Sequence, residues 1–382
     1  MATLTRDEFL RYSRHLVMPE VTLAGQLKLK EARVLCVGAG GLGSPLTLYL
    51  AAAGVGTIGL VEYDTVDLTN IQRQVLYATS DVGRPKLEAA TERLTKLNPS
   101  IQVVPHDMRL TSANVMDVIG GYDMVADGTD NFPTRYLVND ACVFAGKPNV
   151  YASIFRFEGQ ISVFDAQRGP CYRCLFPEPP PPGMVPSCAD GGVLGVLPGI
   201  LGSLQALEVI KLILGNGEPL IGRLVLFDAL AFGFREVAVR KDPACVVCGE
   251  APTITKPIDY EEFCGVRGEE VAPDLTSLPA VTVDDLKARR EAGESFHLLD
   301  VREPHEWEIA RIPGATLFPL SELPARMHEL DMAKTYTLSC HHGIRSVQAY
   351  HILRQAGFKR LQVLAGGQDA WAARIDPSMP RY

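Results

Sequence analysis

Three sets of residues have the types and spacing that chemistry requires. The stretch "LSCHHGIRS", residues 338–346, sets Cys340 at the end of an apolar run, ahead of a short loop, Arg345 and a helix-like segment. Successive N–H groups in such a loop point inward as an anion nest, and a helix N-terminus adds partial positive charge. Both favour a thiolate and can hold the outer sulfur of a persulfide. Cys340 is thus a candidate nucleophile with Arg345 as a fixed cation; the plainer alternative is a core cysteine at a strand end. His341 and His342 are expected to face water, with tuning of the sulfur acceptor as the alternative.

Two Cys-x-x-Cys pairs, Cys171/Cys174 in "CYRC" and Cys245/Cys248 in "CVVC", offer four thiolates, a set suited to structural Zn²⁺. The competing reading is a redox pair, but neither pair opens a helix after a strand pattern. Four cysteine ligands leave no open position for substrate. The role expected is a staple between segments far apart in sequence.

The third set is "GAGGLG" (Gly38, Gly40, Gly41, Gly43), between a strand pattern and an apolar helix pattern. Backbone amides and a helix N-terminus there can cradle phosphate. Glu62 ends the following strand, where an acid can hold a ribose hydroxyl. Alone, this is a dinucleotide fingerprint, or a glycine turn that merely packs tightly. Its neighbours favour nucleotidyl transfer. "DLTNIQRQ" supplies Asn70, Arg73 and Gln74, and "GRPK" supplies Lys86. Hydride transfer does not need that density of cations and amides. Attack on the α-phosphate of ATP does, because charge grows on the phosphoryl oxygens and the departing pyrophosphate. "DGTDN" adds Asp127 and Asp130, oxygen ligands suited to Mg²⁺. Arg73 and Lys86, taken singly, would read as a solvated face; their grouping beside the glycine loop argues otherwise.

These residues need an α/β frame. Residues 33–37, 57–62, 102–105 and "YDMVADG" read as strands, and residues 45–53 and 86–97 as helices. The alternation implies a parallel sheet covered by helices. "ISVF" and "RLVLFD" read as further strands, separated by "PEPPPPGMVP" (177–186), a stiff polyproline crossover. Prolines among polar residues mark 253–278 as a linker. A second alternation follows, with strands "FHLLD", "TYTLS" and "LQVL" and a helix over 345–355. Cys340 then lies at the C-terminal edge of a strand, where open parallel sheets hold ligands. The organisation expected is a first domain over 1–252, the linker, and a second domain over 279–382.

The 382-residue length suits two or three domains, and the net charge of −8 argues against nucleic acid as a partner. The polar N-terminus lacks the apolar core of a signal peptide. The apolar run 199–215 carries Gln205, Glu208 and Lys211 and reads as a buried helix, with no membrane partner. A cytoplasmic protein among reduced thiols is expected, so its nine cysteines are ligands, nucleophiles or core rather than disulfides. Cys36 and Cys142 read as core; Cys264 lies in the linker with no role assigned.

"YSRH", "GAGGLGSP", "DLTNIQRQ", "GRPK" and "DGTDNFPTRYLVND" together resemble the ThiF/MoeB family, adenylating relatives of ubiquitin-activating enzymes, over residues 4–252. The resemblance implies a Rossmann-like, mostly parallel sheet. It also implies adenylation of the C-terminal Gly-Gly of a small ubiquitin-like sulfur-carrier protein. ATP contacts would come from Gly41, Arg73 and Lys86, with Mg²⁺ at Asp130 and zinc on the four cysteines. Arg14 would reach in from the second subunit of a homodimer. Glu62 stands where the family usually has Asp. "LLDVREPHEWEIARIPGA", "CHHGIRS" and "LAGGQDAW" resemble the signatures of rhodanese domains over residues 279–382. That resemblance implies Cys340 as the sulfur-carrying nucleophile, with Asp300 and Arg302 supporting the fold around it. In fused members of this kind, "CADGGVLG" carries a thiol, here Cys188, implicated in acting on the adenylated carrier.

The expected protein is therefore an adenylyltransferase and sulfurtransferase. ATP activates the carrier's carboxylate, and a Cys340 persulfide, charged by a cysteine desulfurase or thiosulfate, delivers sulfur to give a thiocarboxylate. The carrier could serve molybdopterin, thiamine, cysteine or tRNA thiolation chemistry. The alternatives are an NAD-dependent oxidoreductase with a rhodanese tail, and a non-catalytic scaffold that binds a ubiquitin-like partner.

Overall fold

The computed structural model describes residues 3–181, 192–265, 278–294 and 296–382. The chain divides into two compact units, Met1–Val266 and Arg267–Tyr382.

The first unit is built on an eight-stranded sheet of order β3-β2-β1-β4-β5-β6-β7-β8. Its first half is β1 (Arg33–Val37), β2 (Thr57–Val61), β3 (Gln102–His106), β4 (Met124–Asp127) and β5 (Asn149–Phe155). These pair in parallel. Residues of β1, β2 and β4 are almost wholly buried, as strands covered on both faces must be. The second half, β6 (Glu158–Phe164), β7 (Arg223–Asp228) and β8 (Gly233–Ala238), is antiparallel. The sheet is thus mixed. "ISVF" and "RLVLFD" are strands, as expected, but they pair antiparallel with each other and with β5 and β8.

The helix Val196–Leu214 is long and apolar enough to cross a membrane, yet 44% of that stretch is buried. Gln205 on it donates to the carbonyls of Asp127 (2.8 Å) and Val150 (3.0 Å), and Glu208 accepts from the Leu220 N–H (2.9 Å). Those contacts fasten it to the sheet as a core helix.

Residues 253–265, expected to begin a linker, are packed onto this unit. The Tyr260 hydroxyl donates to Asp140 Oδ2 at 2.9 Å, and Tyr260 and Cys264 are buried in the same core as Tyr136 and Tyr172. The anchoring apolar residues (Ile258, Tyr260, Phe263) alternate with prolines and acids, which masked them in the sequence. Residues 266–277 and Cys188 lie outside the described residues.

The second unit is a five-stranded parallel sheet of order β11-β10-β12-β13-β9. Its strands are β9 (Ala280–Val281), β10 (His297–Asp300), β11 (Thr316–Leu317), β12 (Tyr336–Ser339) and β13 (Leu361–Leu364). The central strand β12 leads through the 340–343 loop into the helix Ile344–Gln355. Arg302, with no exposed surface, is clamped bidentately by Asp300 (2.5–3.0 Å) and donates to the Ala310 carbonyl at 2.8 Å.

Candidate functional sites

The parallel half of the first unit ends in a cavity of about 910 Å³. Gly38, Gly40, Gly41, Glu62, Arg73, Gln74, Lys86 and Asp130 all line it. Residues spread over more than ninety positions thus meet at the C-terminal ends of β1, β2 and β4. Gly43 does not line it. Its place in the helix Gly43–Ala53 brings it against the Gly38 carbonyl, with no room for a Cβ.

Glu62 is buried, and its carboxylate accepts the N–H groups of Ala39 (3.1 Å), Tyr63 (2.9 Å) and Asp64 (3.0 Å). It fixes the glycine loop to the end of β2. Asn70 lies outside the lining; its carbonyl accepts from the N–H groups of Arg73 (3.0 Å) and Gln74 (2.9 Å), shaping the turn that presents both. Arg73 donates to the Thr69 carbonyl at 2.9 Å. Lys86, only 5% exposed, meets the exposed Asp64 carboxylate at 3.0 Å. Asp127 does not line the cavity: it is buried, and its Oδ1 accepts the Thr129 N–H (2.9 Å) and hydroxyl (2.6 Å). Burial pushes its carboxyl up, against the pull of Arg135 and Thr129. Arg14 is exposed, on the short helix Ser13–Leu16.

Sequence reasoning passed over Arg135, Tyr151 and Tyr172, which line the same cavity. Arg135 stands inside the quoted "DGTDNFPTRYLVND", but a lone arginine one turn into a helix carries no spacing signal.

The four paired cysteines converge. Their sulfurs all lie within 4.8 Å of one another, the one such group with metal-ligand character among the described residues. Measured separations are 3.4 Å (Cys174–Cys248), 3.6 Å (Cys171–Cys245) and 4.0 Å (Cys171–Cys174). Sulfurs bonded at about 2.3 Å to one tetrahedral ion stand about 3.8 Å apart, so the donor set fits. The Asp242 N–H points at Cys174 Sγ from 3.4 Å. Cys171 precedes a single helical turn, Tyr172–Leu175, but six residues separate it from the end of β6, so the pair does not open a helix directly after a strand. Its thiol faces three other thiols, not solvent. Arg173, between the two ligands, is buried and gripped by Asp140 at 2.8–3.1 Å. Cys36 and Cys142 are buried, and burial pushes the Cys36 thiol up to about 12, which keeps it protonated.

In the second unit Cys340 follows β12, 1% exposed, with the Gly343 N–H pointing at Sγ from 3.1 Å. Ser346 Oγ lies 3.6 Å from that sulfur. The loop is clasped from behind: the N–H groups of Gln368 and Asp369 donate to the carbonyls of Cys340 (2.9 Å) and His341 (3.1 Å). Gly367 lies against those same carbonyls with no room for a Cβ, which gives "LAGGQDAW" its physical meaning. Two expectations change. Arg345 is paired bidentately with Glu306 at 2.5 and 2.7 Å, so its charge is already answered. His341 is buried, its ring 4.3 Å from that of Tyr382, and burial with the neighbouring His342 lowers its pKa. Only His342 is exposed as expected.

Comparison with known proteins accords with this geometry. The ThiF family matches residues 12–247, and the rhodanese-like domain matches 282–374. A probable adenylyltransferase/sulfurtransferase MoeZ of Mycobacterium tuberculosis is 48% identical, across 100% of this chain and 97% of its own. The adenylyltransferase and sulfurtransferase MOCS3 of Sus scrofa is 46% identical, across 100% of this chain and 89% of its own. Among solved structures, E. coli MccB with ATP superposes with a TM-score of 0.53 at 26% identity, covering 59% of this chain and 68% of that one. The oxidoreductase and non-catalytic alternatives give way: the chain belongs to the ThiF family, carries a rhodanese-like domain, and is an adenylyltransferase and sulfurtransferase.

Proposed function

We propose that the first unit adenylates the C-terminal glycine of a small ubiquitin-like sulfur carrier, and that Cys340 supplies the sulfur. The supporting observation is that Gly41, Arg73, Lys86 and Asp130 line one cavity. A carboxylate oxygen attacks the α-phosphorus of ATP, and the α–β bridging P–O bond breaks to release pyrophosphate. Arg73 and Lys86 stabilise the charge that builds there. Mg²⁺, which answers phosphate charge when bound, would be held by Asp130 together with the phosphates. Arg14 completes the site from the second subunit of a homodimer.

The acyl-adenylate has a carbonyl carbon that sulfur can attack. The outer sulfur of the Cys340 persulfide adds there and AMP leaves, giving an acyl disulfide. The Cys188 thiolate then attacks the Cys340 sulfur. The carrier departs as a thiocarboxylate, a Cys340–Cys188 disulfide forms, and a thiol reductant restores both. Thiosulfate or a cysteine desulfurase reloads Cys340. Zn²⁺ on Cys171, Cys174, Cys245 and Cys248 is structural, and the chain works in the cytoplasm. Both units on one chain raise the local concentration of nucleophile near its substrate.

The test is ATP–pyrophosphate exchange with and without a carrier ending in Gly-Gly, followed by the mass of the carrier's C-terminus. Carrier-dependent exchange and a 16 Da gain (about the mass difference of S for O in one carboxylate oxygen) are expected. Exchange that ignores the carrier overturns the reading.

A further inference from the structure

Arg135 is a buried cation without an ion-pair partner among the described residues; Asp127 and Asp130 act on it only through space. It lies on the second turn of the helix Phe132–Ala145, capped by Asn131, and is 9% exposed. It lines the 910 Å³ cavity beside Tyr151 and Tyr172. Its guanidinium carbon stands 5.5 Å from the Tyr151 ring and 5.7 Å from the Phe132 ring. Its hydrogen bond to protein is a long one, from Nη2 to the Thr129 carbonyl at 3.2 Å, and Nε is buried without a partner. No carboxylate among the described residues forms an ion pair with it. The nearby buried acid, Asp127, spends Oδ1 on Thr129 and leaves Oδ2 unpartnered.

A buried charge is costly unless paired. The other buried arginines obey that rule. Arg173 has Asp140, and Arg302 has Asp300. Arg135 departs from it at a cavity wall, where a ligand can supply the missing anion. Its aromatic surroundings leave it 9% exposed, and reduced solvent screening strengthens a charge-assisted hydrogen bond. Arg73 and Lys86, beside the glycine loop, already answer to the phosphates. Arg135 lines the same cavity among Phe132, Tyr151 and Tyr172, so its nearest neighbours there are aromatic rings rather than other cations.

We propose that Arg135 binds the C-terminal carboxylate of the acyl substrate and holds it for attack on the α-phosphate. The assignment rests on the carrier-adenylating reading above. A guanidinium suits the task because its planar fork matches a carboxylate. Adenylation removes the carboxylate's charge, so the grip weakens as the acyl group becomes ready for sulfur.

The experiment uses the full chain and a purified ubiquitin-like carrier ending in Gly-Gly, prepared as the free acid and as the C-terminal amide. Affinities of both forms are measured without ATP, and exchange kinetics with the acid. Wild type should prefer the acid by about 10- to 100-fold, the range for a charge-assisted contact. Arg135→Gln should abolish that preference and raise the carrier KM by a similar factor, while ATP affinity moves less than about twofold. Arg135→Lys, which keeps charge and volume, should retain part of the preference and covers the case in which the glutamine variant fails to fold. An undiminished preference in either folded variant overturns the assignment, as does a loss of ATP affinity equal to that of carrier affinity. Absence of exchange in wild type overturns the carrier reading itself, a result visible before any variant is made.

Discussion

The two reactive centres handle positive charge in opposite ways. Around the first cavity Arg109 is paired with Glu261, but three other cations stay open to a ligand: Arg73 bonds a carbonyl, Lys86 touches an exposed carboxylate, and Arg135 has no ion-pair partner among the described residues. Around Cys340 the cations are paired off: Arg302 with Asp300, Arg345 with Glu306. In the proposed reaction the first centre receives phosphates and a carboxylate, and this fixed charge is placed to answer them. In the same proposal the second holds one sulfur, and the Gly343 N–H points at Cys340 Sγ from 3.1 Å. Its arginines stabilise the fold that aims that N–H.

The sharpest way to break this comparison is to disable each centre alone. Cys340→Ala should lose thiosulfate-to-cyanide sulfur transfer and thiocarboxylate formation entirely while pyrophosphate exchange continues. Asp130→Ala and Arg73→Ala should lower exchange about a hundredfold or more, with sulfur transfer intact. Coupled loss of both reactions in a folded variant would refute their independence. Cys188→Ala should spare both partial reactions and impair only the joined one.

Next in size is the metal. Purified protein should carry about one Zn²⁺ per chain. Replacing Cys171 and Cys248 by serine should release it and lower the melting temperature of the first unit by on the order of 10 °C. The melting transition of the second unit should stay in place. Full metal content in that variant would exclude the four-thiol site.

The smallest effect concerns Glu306. Burial alone would raise its pKa, but hydrogen bonds from Arg345 and the Glu303 N–H hold it below the usual carboxylate range. A depressed folded pKa contributes stability above the unfolded value, about 4.3, and that contribution is lost as pH falls through the folded one. Unfolding of the second unit should therefore ease on acidification from about pH 5 to pH 3. Glu306→Gln should flatten that slope and cost a few degrees at pH 7. If the slope persists in the variant, Arg345 is not held as described.

Much of this was legible in the sequence because local pattern and position coincide. β1, β2 and β4 are mostly apolar runs, and each delivers its loop to the same edge. The helix Lys86–Leu97 and the convergence of four cysteines were equally plain. What escaped depends on contacts between distant residues. β8 is a mostly exposed edge strand with no apolar period. The Arg345–Glu306 pair joins residues 39 apart, and nothing near either announces the other. Glu62 could be placed at a strand end, but not its three backbone partners. His341 looked like a solvated loop residue because Tyr382, which covers it, comes 41 positions later in the chain.

The thiol clasp has a consequence in time. Cys171 and Cys245 are 74 residues apart. A ribosome adding about 5–20 residues per second makes the second pair about 4–15 s after the first. Through that interval Cys171 and Cys174 exist with half their coordination partners still unmade. The hairpin strands β7 and β8 emerge in the same window, since they lie between the two pairs in sequence. Closure of the clasp therefore comes only after every strand of the antiparallel half of the sheet has been synthesised. If the four thiols hold Zn²⁺ as proposed, a nascent chain short of metal would reach that stage with four neighbouring thiols, the condition in which a disulfide can form in place of the metal site.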